Sequence, residues 1–312
     1  MTAVQQIPID ETIPGVPAIA VREHHDNLRD YYEDTWFDYR FLWLDPRNRA
    51  LHFGYEQPGQ RRHGESLLAL NHVMAEHVRL RRGAHVLDAG CGVGGTSMWL
   101  AEEYGAEVVG VNLVEDHIER ARRYGRERHL AGQVRFEVAD YTATPLAPHT
   151  FDVVWAQESA CHAPDKSAFT REAARVLRSG GRLVMAEYLV SANRRPAFGS
   201  DPISEWERGW EMTLATEADW REALTAAGFV NIEFDDVTRR MRRSLRRLNR
   251  LCRLLQPIAQ LLHAAKIRTD AQQGNIAGSL AMWQALERGD WFYAIVTAET
   301  PVSSVSSTEG EQ

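Results

Sequence analysis

The sequence predicts an α/β protein whose sheet of about seven strands starts with five parallel ones and carries a helical lid. From His85 to Val190 short β-rich runs alternate with amphipathic stretches, and each crossover is long enough to hold a helix, so successive strands run parallel. Helix-rich segments fall outside that regular stretch before residue 84, between 191 and 228, and between 239 and 290. They supply the lid. The runs follow in order: strand HVLDAG from His85, helix GTSMWLAEEYG from Gly95, strand EVVGVNL from Glu107, helix EDHIERARRYGRERHL from Glu115, and strand VRFEVAD from Val134. Strand FDVVWAQE starts at Phe151, helix SAFTREAARVLRSGG at Ser167 and strand RLVMAEYLV at Arg182. Two further runs, FVNIEFDDV from Phe229 and WFYAIVTAE from Trp291, complete the sheet.

With 312 residues the chain is long enough for one large or two modest domains with an ample core. Its 36 basic and 43 acidic residues leave a net charge of −7, too mild an imbalance for a nucleic-acid coat or a disordered acidic tail. No apolar run reaches the roughly 18 residues that a membrane span needs. The start lacks the basic-then-apolar pattern of a secretory signal, so cytoplasmic residence is expected. Three cysteines, Cys91, Cys161 and Cys252, are odd in number and far apart, which argues against a disulfide framework or a cysteine-rich zinc site.

The strongest chemical signal is HVLDAGCGVGGTS, where a β-run ends at Asp88 and opens a loop carrying Gly90, Gly92, Gly94 and Gly95. Such a loop lets backbone approach a ligand closely and offers N–H groups at the start of the next helix. A tight strand-to-helix turn is the bland alternative. The spacing differs from the GxGxxG dinucleotide fingerprint, and Asn112 stands where an acid would grip a ribose, so both points disfavour a nicotinamide-dependent oxidoreductase.

The DAGCGVGG loop resembles motif I of class I S-adenosylmethionine methyltransferases. That resemblance implies a seven-stranded Rossmann-like sheet and S-adenosylmethionine as cofactor. It places Asp88, Gly90 and Gly92 along the methionine part, Asn112 and Leu113 at the ribose, Asp140 and Tyr141 at the adenine, and Gln157 in the same cofactor shell. Sterol side-chain methyltransferases also carry asparagine at the position of Asn112. The segment ESACHAP closely resembles their EATCHAP, and residues 30 to 300 resemble carbon methyltransferases of sterols, tocopherols and prenyl diphosphates. Glu158 lies at the carboxyl end of the fourth strand, where ligands of open α/β sheets bind, so it is the candidate base, with His162 beside it. Capping of the next helix is the structural alternative for both.

Outside the core, YYEDTWFDYRFLWL and HFGYE resemble that group's aromatic helix and H-x-G turn, which implies that Tyr32 walls the acceptor site and that His52 lies near it. Trp206 and Trp210 are four residues apart and share a helix face in the insertion where the family builds its acceptor pocket. TRRMRRSLRRLNRLCRLL carries eight arginines on an amphipathic helix; a solvated face is the ordinary reading, and Arg239, Arg243 and Arg246 gripping a diphosphate is the functional one.

The expected organisation is a disordered start (1–20), an N-terminal helical lid (21–83), an S-adenosylmethionine-binding core (84–190), acceptor-pocket insertions with the arginine helix and sixth strand (191–290), a last strand (291–300) and a disordered tail (301–312). The expected activity is methylation of an alkene carbon of a prenyl diphosphate, geranyl diphosphate foremost, through a carbocation that Glu158 quenches. If the acceptor carries a diphosphate, the resemblance implies Mg2+, although no metal ligand set is legible. A sterol, tocopherol-like phenol or prenylated alkaloid is the alternative acceptor, and a non-catalytic cofactor-binding subunit the distant one. The partner is then a small isoprenoid, without nucleic acid and without a membrane span; a homo-oligomer stays open.

Overall fold

The computed structural model describes residues 18–40, 45, 47–60, 62–194 and 199–302. Its elements are α1 (Ala18–Asp38), α2 (His63–His77), β1 (His85–Ala89), α3 (Gly95–Tyr104), β2 (Glu107–Asn112), α4 (Glu115–Glu127), β3 (Val134–Val138) and β4 (Phe151–Gln157). There follow α5 (Lys166–Val176), β5 (Leu177–Val190), α6 (Pro202–Gly209), β6 (Ala215–Thr216), α7 (Glu217–Ala226), β7 (Val230–Asp236), α8 (Thr238–Ala264), α9 (Asp270–Arg288) and β8 (Trp291–Glu299). The sheet order is β3-β2-β1-β4-β5-β8-β7, with the two-residue β6 pairing β5. β1 to β5 pair in parallel, as the βα alternation requires, whereas β8 runs antiparallel between β5 and β7.

Side chains alternate across the strands and build two apolar layers. Val86, Val153, Trp155, Val184 and Tyr188 face a layer shared with α2, α3, α4 and the lid, while Leu87, Val154, Met185 and Leu189 face α5 and α7. In the lid α9 is the hub, packing against α1, α6 and α8. Its start is fixed by a capping box in which Thr269 and Gln272 bond each other's backbone N–H.

Three boundaries differ from the sequence reading. The N-terminal helix already begins at Ala18, inside the stretch expected to be disordered, and residues 1–17 and 303–312 lie outside the described residues. The helix expected through Gly181 stops at Val176, because Leu177 pairs with Phe151 and opens β5, with a register shift before Arg182 meets Val153. β6 was not foreseen, since two residues carry no periodicity. No helix among the described residues is long and apolar enough to cross a membrane.

Candidate active site

β1, β2 and β4 end at one edge of the sheet, and α1 with the 49–52 segment closes over them. The cleft between has an empty space of about 1030 Å3 counted to its open mouth. Its floor is the glycine loop. Gly90 has φ 87, and a Cβ there would lie 2.4 Å from the Cβ of Ser159, so only glycine permits the β1 loop to pass under the β4 loop. Gly95 meets the 48–49 backbone just as closely: an added Cβ would fall 2.4 Å from the Arg49 carbonyl oxygen.

Of the expected cofactor residues, Asp88, Gly90, Gly92, Asn112, Leu113, Tyr141 and Gln157 all line this cleft. Asp88 is buried, accepts a 2.5 Å hydrogen bond from Ser97 Oγ, and is pushed by burial up to about 6. Asn112 Oδ1 accepts the Val114 N–H at 2.8 Å, leaving its amide nitrogen as the group to offer a ligand. Gln157 is engaged by Thr96, Trp155 and Asn71. Tyr141 donates to the Ser159 carbonyl at 2.7 Å. Asp140 is placed differently: it borders an adjoining small pocket, and His25 Nε2 of α1 lies 2.9 Å from its carboxylate. Burial would raise Asp140, but the His25 and Thr142 hydrogen bonds outweigh it and hold the carboxyl below its ordinary value.

Glu158 sits just past β4 with φ 53, a left-handed conformation that costs a residue with a side chain about 1–2 kcal/mol. It turns the carboxylate into the cleft, where it accepts from the Phe53 N–H (2.8 Å), the Tyr293 hydroxyl (2.7 Å) and the Tyr188 hydroxyl. Desolvation by the surrounding protein outweighs those donors and pushes Glu158 up to about 7. His162 follows on a short 3-10 turn, Ala160–His162. Its Nδ1–H donates to the Glu211 carbonyl (2.9 Å), so Nε2 accepts the Tyr32 hydroxyl (2.9 Å), and burial lowers the ring to about 4. A neutral, already bonded imidazole is a poor base. Both His52 and His117 line the cleft with a buried Nε2 that has no hydrogen-bond partner among the described residues.

Tyr32 and Trp210 wall the cleft beside Tyr39 and Tyr188. Trp206 does not. It is fully buried behind the wall, its ring 5.1 Å from that of Tyr188 and 4.8 Å from that of Trp291. The arginine helix also departs from its functional reading, because its apolar face packs inward and turns the guanidinium groups out. Arg239, Arg243 and Arg246 are exposed and none lines the cleft; Arg243 pairs with Glu56 (3.3 Å) and borders, with Arg246, a separate surface groove.

A methyltransferase-domain family model matches residues 87–185. The sarcosine/dimethylglycine N-methyltransferase of Halorhodospira halochloris is 32% identical over 234 residues, spanning 72% of this chain and 80% of that protein. The chain belongs to the class I S-adenosylmethionine-dependent methyltransferases. Methyltransferase GfsG of Streptomyces halstedii is 37% identical over 52% of this chain, and the chloroplastic tocopherol O-methyltransferase of Arabidopsis thaliana 29% over 60%. The methyltransferase spans just over half of those two relatives, 57% and 53% of their lengths. Among solved structures, the [4+2]-cyclase SpnF superposes with a TM-score of 0.70 at 24% identity, covering 89% of this chain and 95% of that one. The geranyl diphosphate C-methyltransferase of Streptomyces coelicolor A3(2) gives 0.64 at 18%, covering 92% and 99%. At such identities the likeness establishes the Rossmann-like fold and nothing about the acceptor. The oxidoreductase reading falls with the family assignment.

The donor set fits S-adenosylmethionine: a glycine cradle, a buried carboxylate at Asp88, the Asn112 amide and unpartnered imidazole nitrogens converge on one cleft. Among the described residues no cluster of three His, Cys, Asp or Glu side chains could hold a metal, and the oxygens of Asp88 and Glu158 already serve protein donors. Sequence reasoning missed Glu187, Lys166, Tyr188 and Tyr293. Glu187 was detectable as a charge inside the apolar run RLVMAEYLV; the tyrosines look like ordinary strand residues.

Proposed function

We propose that this methyltransferase alkylates an alkene carbon of an uncharged, isoprenoid-like acceptor and that Glu158 removes the proton that restores the double bond. Glu158 carries the reading: a carboxylate whose proton affinity lies near neutrality, in a cleft walled by Tyr32, Tyr39, Tyr188 and Trp210. S-adenosylmethionine, when bound, supplies a methyl group activated by its sulfonium. Gly90, Gly92, Asp88, Asn112 and Leu113 would hold it, and the aromatic wall aligns the acceptor and keeps water out. As the new C–C bond forms, positive charge develops on the neighbouring acceptor carbon, and the aromatic faces stabilise it through their quadrupoles. The adjacent C–H electron pair then becomes the new π bond and its proton passes to a Glu158 oxygen.

An uncharged acceptor is favoured over a prenyl diphosphate by the charges in the cleft. Arg49 is the one lysine or arginine among the described lining residues, and its guanidinium stacks 4.2 Å from the Tyr124 ring centroid. A diphosphate would meet Glu158 without the arginine cluster that its charge requires. The test is incubation with methyl-labelled S-adenosylmethionine and a panel of sterols, prenylated phenols, prenyl alcohols and prenyl diphosphates, with products solved by mass spectrometry and NMR. A carbon-methylated neutral product is expected. Preference for a diphosphate, transfer to oxygen, or cyclisation without methylation would each overturn the reading. Glu158→Gln should bind cofactor normally and turn over roughly a hundred to ten thousandfold more slowly.

A further inference from the structure

We propose that the outward face of α8 docks this methyltransferase on the surface of an anionic lipid bilayer. Seven large apolar side chains stay exposed among the described residues, and four of them, Leu254 (74%), Ile258 (59%), Leu261 (70%) and Ile267 (70%), fall on the second half of α8 and the turn after it. Leu254, Ile258 and Leu261 recur at helical spacing, opposite the face formed by Met241, Leu245, Leu248 and Cys252, which is buried against the core. An uninterrupted exposed stripe of this kind marks an interaction surface.

The first half of α8 decides what the surface meets. Arg246, Arg247 and Arg250 are exposed and make no ion pair among the described residues, and with Arg62, His63 and Arg243 they line a groove that continues onto Leu251 and Leu254. Glu56, paired with Arg243, is the one carboxylate in that lining. Cationic groups running into an apolar stripe along one helix complement a headgroup phosphate layer above hydrocarbon. A second copy docked through the same face would set positive charge against positive charge. The face also lies close to the chemistry: the Glu56 N–H donates to the Arg240 carbonyl and the Gly54 N–H to Ser244 Oγ, so α8 grips the segment whose Phe53 N–H bonds Glu158.

The test is co-sedimentation of the full chain with phosphatidylcholine vesicles, with and without phosphatidylglycerol, at low and high salt. Salt-sensitive binding to the anionic vesicles is expected. Arg246→Gln/Arg247→Gln/Arg250→Gln should lower partitioning on the order of a hundredfold, and Leu254→Ser/Ile258→Ser/Leu261→Ser should lower it independently, both with unchanged circular dichroism and S-adenosylmethionine affinity. Binding that ignores lipid charge, or no binding to either vesicle, overturns the proposal. So does sedimentation velocity showing a dimer that the serine variant dissociates. Inorganic diphosphate in place of vesicles separates a lipid surface from a free phosphate: tight binding at this groove, lost in the arginine variant while vesicles fail to bind, would make it an anion site instead.

Discussion

At Glu158 two pH effects of opposite sign meet. Its carboxyl is raised from 4.5 to about 7 in the fold, so the native state holds the proton more tightly than the unfolded chain does. The associated stability is complete below the unfolded value and is lost as pH rises through about 7. Catalysis runs the other way, because only the ionised form accepts a proton. We therefore expect kcat/KM to climb through pH 7 while the thermal midpoint declines over the same interval. Glu158→Gln should remove the rising limb of activity and flatten part of the stability slope. Glu187, which burial also lifts to about 7, and Asp88, lifted to about 6, contribute further slope of the same sign. An unchanged activity limb in the variant would assign the titration elsewhere. Glu158 was legible in the sequence because a carboxylate at the end of an apolar strand has one plausible direction to face. The contact between His25 and Asp140 was not, since it joins residues from α1 and the β3 loop that share no local pattern.

Between strand and helix, the 3-10 turn that carries His162 is held at both ends. Glu187 Oε1 accepts the N–H groups of Ser159, Ala160 and Cys161 at 3.1, 2.7 and 3.3 Å, while Lys166 Nζ donates to the carbonyls of Ala160, Cys161, Ala163 and Thr213. The Glu187 carboxyl thus meets the N–H end of the turn and the Lys166 amine its carbonyl end. Lys166→Met keeps the stem but strands those carbonyls, and hydrogen bonds to a charged group are worth about 1.5–3 kcal/mol each. A loss of roughly 3 kcal/mol in unfolding free energy is expected by denaturant titration, with weaker cofactor binding because Ser159 underlies the glycine loop. A loss under about 0.5 kcal/mol, the range of ordinary surface substitutions, would mean the turn holds itself. At this scale sequence periodicity located β1 to β5 and α8 well. It failed at the α5–β5 junction, where pairing of Leu177 with Phe151 overrides helical pattern, and on the tryptophans, because helical spacing shows that Trp206 and Trp210 share a face but not which one reaches the cleft.

Across the whole molecule α1 ties the lid to the sheet. Its Tyr32 reaches His162, its Arg29 reaches the Leu113 carbonyl (3.3 Å), Tyr31 donates to Asn275 of α9 (3.2 Å), and Asp38 takes a bidentate grip from Arg268 at 3.0 and 2.7 Å. Asp38 is buried and Arg268 nearly so, with side chains 3% and 12% exposed. Removing Arg268 leaves the Asp38 carboxylate desolvated and unpaired, a penalty of about 3–5 kcal/mol if the fold stays shut. That penalty is relieved by local release of α1, so Arg268→Ala should shift the lid toward opening before the domain unfolds. Hydrogen exchange is then expected to rise across α1 while the sheet keeps its protection. Because α1 supplies Leu28, Tyr32 and the cover over Glu158, an open lid admits water to the cation before the proton leaves. The variant should therefore release a methylated alcohol alongside the alkene product, at a fraction that grows as exchange in α1 grows. Faster exchange with no alcohol would mean that the aromatic wall alone excludes water, and unchanged exchange would mean that α9 holds α1 through Asn275 without the ion pair.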